Sequence, residues 1–142
     1  MTSDEARREV ISELQIGHLG KAMNLVEQNQ VQIDDEIRRE AATACAESLR
    51  EHFHWIVPLF VKTFGIAHDP DLNRLASKII ILSVRHGQPL IASLAARTFD
   101  IELDETAQAL VEAAKQRMVT GIQQADVLAA SDGSGEYNFT VE

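Results

Sequence analysis

The chain is short of the residues that punctuate or cross-link a fold. Its single cysteine, Cys45, excludes an internal disulfide and any zinc site built on cysteines. Three prolines and seven glycines in 142 residues leave few places where regular structure must break. Aromatic residues make up only 5%, whereas alanine and leucine are frequent, a balance that favours helices packed closely on small side chains. No apolar run approaches the roughly 20 residues of a membrane span. The opening Met1-Thr2-Ser3-Asp4-Glu5-Ala6-Arg7-Arg8 also lacks the apolar centre of a secretory signal. These absences predict a cytoplasmic protein with no membrane partner. Positive charge is scarce too: 13 Lys and Arg stand against 22 Asp and Glu, a net charge of −9. Proteins that live on phosphate contacts are normally basic, so the balance argues against general nucleic-acid binding.

Motifs that carry chemistry are equally few. There is no Gly-rich phosphate loop, no Gly-x-Ser-x-Gly elbow and no paired catalytic acid. Ser3, Ser12, Ser48 and Ser77 have no candidate base near them in sequence. Glu51-x-x-His54 has the spacing with which a Glu and a His ligate a metal from one helix. A di-iron bundle needs a second such pair, and none is present. His52 falls on the apolar face near a helix end, a place for a hydrogen-bonded structural histidine. His18, His68 and His86 sit in or near turns. The expectation is a chain with no catalytic residue, no metal and no cofactor, with a helical-bundle metal protein or enzyme using Glu51 and His54 as the alternative.

What is present is a repetition. Lys62-Thr63-Phe64-Gly65-Ile66-Ala67-His68-Asp69 returns 35 residues later as Arg97-Thr98-Phe99-Asp100-Ile101-Glu102-Leu103-Asp104. A fainter copy runs from Glu27 to Asp34, keeping Val31 and Asp34. A period of this size marks stacked-repeat architectures, because one helix pair cannot bury its apolar face alone and its neighbour covers it.

The period divides the chain into four units, each predicted as a longer helix, a tight turn, a shorter helix and a loop ending in Asp. Unit one opens with a capping box from Thr2 to Glu5 and carries Val10, Ile11 and Leu14. Gly17 and Gly20 interrupt it before a second helix through Ala22, Met23, Leu25 and Val26. Unit two opens at Asp34-Asp35-Glu36, with Ile37, Ala41, Cys45, Leu49, His52, Phe53 and Ile56 on one side. Its second helix is expected to start near Phe53 to Trp55, which puts Pro58 in the first turn. Unit three starts at Asp69-Pro70-Asp71, buries Leu72, Leu75, Ala76, Ile79 and Ile80, and stops at Gly87 before Gln88-Pro89 restarts a helix. Unit four starts at Asp104, with a second, more polar helix expected from Ile122 to about Ala130. The fold class is therefore all-α: about four antiparallel helix pairs stacked as a short α-solenoid over residues 1–130, with a compact helical bundle as the alternative.

By period and helix-pair pattern the chain resembles the tandem helical-repeat families: ankyrin, tetratricopeptide and pentatricopeptide repeats. Gly17-His18-Leu19 leading to Leu25-Val26-Glu27 is similar to the second helix of an ankyrin repeat, as is Arg85-His86-Gly87 leading to Leu90, Ile91 and Leu94. The Thr-Pro-Leu-His opening of ankyrin units and the Trp, Leu-Gly and Tyr signature of tetratricopeptide units are absent. The resemblance implies a class, that of non-catalytic modules that bind other proteins.

Arg74, Lys78, Ile81 and Arg85 share one helix face in unit three, and one period earlier that face carries Arg39, Thr43, Ala46 and Arg50. Stacked units would join them into a basic strip suited to a partner's carboxylates, since Arg offers bidentate contacts. The strip is local. Residues 69–103 hold four basic and four acidic residues, whereas residues 104–142 hold two against seven, a net −5. The expected function is protein–protein interaction through Arg39, Arg50, Arg74, Lys78, Ile81 and Arg85, with another protein or an acidic peptide as partner. Nucleic-acid binding along the strip is a further alternative. Residues 131–142 change character: a Gly/Ser stretch, then Tyr137, Phe139 and Val141 alternating with polar residues. They read as a flexible or peptide-like tail, a pattern also suited to an added strand or a groove-bound peptide.

Overall fold

The computed structural model describes residues 1–123, and within them the chain is all-helical. Its elements are α1 (Ser3–Ile16), α2 (Leu19–Asn29), α3 (Asp35–Glu51), α4 (Val57–Phe64), α5 (Pro70–Arg85), α6 (Pro89–Phe99) and α7 (Glu105–Gln123). Phe53, between α3 and α4, is the one isolated bridge residue among the described residues. No helix among them is long and apolar enough to cross a membrane.

Three helices start on an aspartate, 35 residues apart. Asp34 Oδ1 accepts from the Ile37 N–H at 2.9 Å, Asp69 Oδ2 from Leu72 at 3.1 Å and Asp104 Oδ1 from Ala107 at 2.7 Å. Each bond satisfies a backbone donor that the first helical turn leaves without a partner, a cap that stabilises by about 1 kcal/mol. Thr2 does the same for α1, its hydroxyl accepting from Glu5 at 3.1 Å. The helices before the three aspartates also end alike. Gln30, Gly65 and Asp100 take the left-handed conformation, with φ of 49°, 65° and 53°. The next residue then donates its N–H back into the last turn: Val31 to Val26 O at 3.1 Å, Ile66 to Val61 O at 3.2 Å and Ile101 to Ala96 O at 2.8 Å. These bonds use carbonyls that would otherwise be orphaned and turn a branched apolar residue onto the core. The shared motif of the sequence is this turn: a buried Phe64 or Phe99 closes the helix, a left-handed residue reverses it, and Asp opens the next.

The other set of turns is less regular. Gly17 and Gly87 stop α1 and α5 at φ of 91° and 71°. One period after Gly17 stands His52, and there the backbone stays extended, at φ −167° and ψ 163°. Without glycine the chain does not reverse at once, and α4 begins at Val57 with Pro58 in its first turn, later than the expected start at Phe53 to Trp55. Gly20 does not interrupt unit one. It lies inside α2, where an added Cβ would meet Ile56 Cδ1 at 3.5 Å. In unit four α7 runs through Gly121 to Gln123, without the turn the period places there. The remainder of the expected last helix, with residues 131–142, lies outside the described residues.

Helix α3 packs between α1 and α5, and α4 packs against α2 and α6. α1 lies on α2, α5 on α6, and α7 on α6. The core runs along these contacts through the fully buried Leu14, Ile37, Leu49, Phe60, Phe64, Leu72, Ile79 and Phe99. Phe60 and Phe64 face each other with ring centroids 4.7 Å apart, which anchors the eight-residue α4. The apolar face expected on α3 (Ile37, Ala41, Cys45, Leu49) and that on α5 (Leu72, Leu75, Ala76, Ile79, Ile80) are both buried. On α7 the match is partial: Ala107, Val111 and Ala114 are buried, but Leu110 and Met118 are exposed.

Candidate partner-binding site

Helices α3 and α5 meet along their buried faces and leave a groove on the outer side. Its floor is made of short or buried side chains, Ala42, Ala46 and Leu75, and its walls carry Arg39, Thr43 and Arg50 from α3 and Arg74 and Lys78 from α5. The groove has a volume of about 840 Å³. Arg39 and Arg50 are eleven residues apart, or roughly 16 Å along the helix, and Lys78 follows Arg74 by one turn. Four cations and two carboxylates, Asp69 and Asp71, line it, a local charge of +2 on a chain of −9.

Both carboxylates are engaged. Asp69 caps α5 through Leu72, and Asp71 pairs with Arg74 at 3.2 Å, one exposed contact along the same helix. Among the described residues, the side chains of Arg39, Arg50 and Lys78 form no ion pair. Three cationic heads are thus left pointing to solvent around one concave surface, where long side chains keep freedom to meet an incoming acid. The structure brings together Arg39, Arg50, Arg74 and Lys78. Ile81 (52% exposed) and Arg85 lie further along α5, exposed and outside the lining of the groove. The two aspartates were not singled out from the sequence, although Asp71 stands three residues before Arg74, the spacing of a helical ion pair.

Glu51 and His54 do not share a helix. α3 ends at Glu51, and His54 sits in the connection, its Nδ1 accepting from the Ile56 N–H at 3.2 Å and its ring 5.5 Å from Trp55. The one-helix ligand geometry therefore does not form. His52 Nε2 is buried without a hydrogen-bond partner among the described residues, unlike the hydrogen-bonded histidine expected there. No group of three or more His, Cys, Asp or Glu side chains gathers among those residues. Cys45 is fully buried, and burial pushes its thiol up to about 12, so the nucleophilic thiolate is suppressed.

Two further charged clusters join α1 to its neighbours. Arg7 donates to Asp34 at 2.8 Å and to Glu36 at 3.1 Å, which raises the guanidinium pKa and holds the Asp34 carboxyl below its usual value. Glu13, near the end of α1, meets His18 Nδ1 at 2.7 Å and Lys21 Nζ at 3.3 Å. The hydrogen bond with His18, more than the lysine, lowers its pKa. Both clusters tie helices to one another and neither borders a concave surface with free cations.

No protein-family model, no curated protein and no solved structure matches the chain.

Proposed function

We propose that the helices form a short α-solenoid of the tandem helical-repeat class and that the chain acts as a non-catalytic adaptor, chaperone-like or regulatory module. It takes an acidic segment of a partner protein in the groove between α3 and α5. The stack is supported by the order of contacts, α1 to α3 to α5 in one row and α2 to α4 to α6 in the other, and by turns closed with the same bonds at a 35-residue spacing. The observation that carries the functional reading is the set of three unpaired cations around one groove of an acidic chain. Its roughly 16 Å length suits about five residues of an extended segment, with carboxylates spaced to meet Arg39, Arg50 and the Arg74–Lys78 pair. Affinity would come from charge-assisted hydrogen bonds, and specificity from the shallow apolar floor.

The test is a capture from the native host with the wild-type chain and an Arg74→Glu/Lys78→Glu/Arg85→Glu variant, read by mass spectrometry. The expected result is a protein retained by the wild type and lost from the variant. Identical retention by the two would contradict the assignment of the groove.

A further inference from the structure

A second concave surface lies on the opposite side of α6 from the groove's row of helices, and its chemistry is different. Phe53 and Trp55 from the α3–α4 connection, Leu90 and Leu94 from α6 and Met118 from α7 line a hollow of about 370 Å³. Trp55 is 64% exposed and Met118 52%, so two of the largest apolar side chains of the chain face solvent across it. Arg97 and Lys115 stand at its margin. It shares Leu90, Ile91 and Met118 with a neighbouring hollow of about 310 Å³ along the α6–α7 seam. An apolar trough rimmed by cations is a surface that a soluble chain normally keeps covered.

We infer that the trough is the docking site of this chain's own segment Tyr137–Val141, which binds in extended form with Tyr137, Phe139 and Val141 facing Trp55, Leu94 and Met118. Reach is not limiting. Thirteen residues separate Gln123 from Tyr137, a span of up to about 45 Å, whereas α7 rises only about 8 Å from Met118 to Gln123. Gly133 and Gly135 permit the reversal this path needs. The pattern fits, because alternate residues of a strand lie on one side about 7 Å apart and can each meet a different apolar group of the trough. The charge fits as well: Glu136 and Glu142 flank the apolar residues, opposite Arg97, which has no ion pair among the described residues, and Lys115, whose pairing with Glu112 is a loose 3.8 Å. Finally, the connection at His52 and Phe53 is extended rather than helical, with Phe53 the bridge residue noted above, so its backbone is disposed to receive a strand. This site is distinct from the α3–α5 groove and does not depend on what that groove binds.

Trp55 is the chain's single tryptophan, so its fluorescence reports the trough directly. Acrylamide quenching is measured on the full-length wild type and on full-length Tyr137→Ser/Phe139→Ser/Val141→Ser, over a range of protein concentrations with the mass followed by sedimentation. Circular dichroism on both checks that the helices are intact. The expected result is a monomer in which the variant is quenched about twofold more than the wild type at every concentration, as follows if docking covers about half of the exposed ring. Arg97→Glu/Lys115→Glu should move quenching in the same direction. Equal quenching of the wild type and the triple variant would overturn the inference. Protection that appears only as a dimer forms would also overturn it, and would give the trough to a second copy.

Discussion

The α5–α6 hairpin and the α3–α4 connection occupy equivalent places one period apart, yet they are built differently. In the first, Gly87 takes a left-handed conformation and Pro89 opens α6 two residues later. In the second, His52 holds the equivalent place, the chain runs extended, and five residues pass before α4 begins. One side chain at one position decides between a closed turn and an open one. The open connection has a consequence the closed one lacks: it holds Trp55 out over the seam of α6 and α7.

The sharpest way to break this comparison is to remove what holds α4 after its late start. Phe64→Ala should cost about 3–5 kcal/mol, because the ring is fully buried and packed on Phe60, whereas Leu59→Ala on the exposed face should stay within about 0.5 kcal/mol. Urea denaturation followed by circular dichroism measures both. The closed turn is the next target. Gly87→Ala places a Cβ where φ is 71° and should cost about 1 kcal/mol in thermal denaturation. His52→Gly should not gain a corresponding amount, since an extended backbone suits any residue. A smaller effect of opposite sign is expected at Ser83, near the end of α5. Its hydroxyl is fully buried with no hydrogen-bond partner, so Ser83→Ala should stabilise the chain by up to about 1 kcal/mol.

The smallest change concerns the seam of α1 and α3, where the same Asp turn carries an extra partner. Arg7 depresses the Asp34 pKa in the folded state, so the contribution is present above the ordinary carboxylate pKa of 3.8 and is lost as pH falls through the lower folded value. Arg7→Met should therefore reduce stability at neutral pH and converge with the wild type in strong acid. Denaturant titrations between pH 2 and pH 7 check the direction.

The regular turns were legible because they are local. Asp34, Asp69 and Asp104 cap helices through their own backbone neighbours, and the 3.6-residue pattern of α3 and α5 marks the buried faces without reference to the rest of the chain. The late start of α4 was not legible, because the path from His52 to Ile56 is set by where Phe53 finds burial against other helices. The unbroken α7 has a clearer reason. Gly87 is followed by Gln88-Pro89, whose proline cannot continue a helix, whereas Gly121 is followed by Ile122-Gln123, and glycine alone does not stop a helix. For the groove, helical spacing put Arg74 with Lys78 and Arg39 with Arg50. Only the packing of α3 on α5 set the two pairs around one concavity and left Ile81 and Arg85 beyond it.

The groove is tested most directly by selecting binders from a random peptide library on the wild-type chain and titrating them against Arg39→Glu/Arg74→Glu at low and high salt. The account predicts peptides rich in Asp and Glu whose affinity falls with salt and is lost in the charge-reversed chain. Selected peptides without an acidic bias, or acidic ones that bind both chains equally, would contradict it.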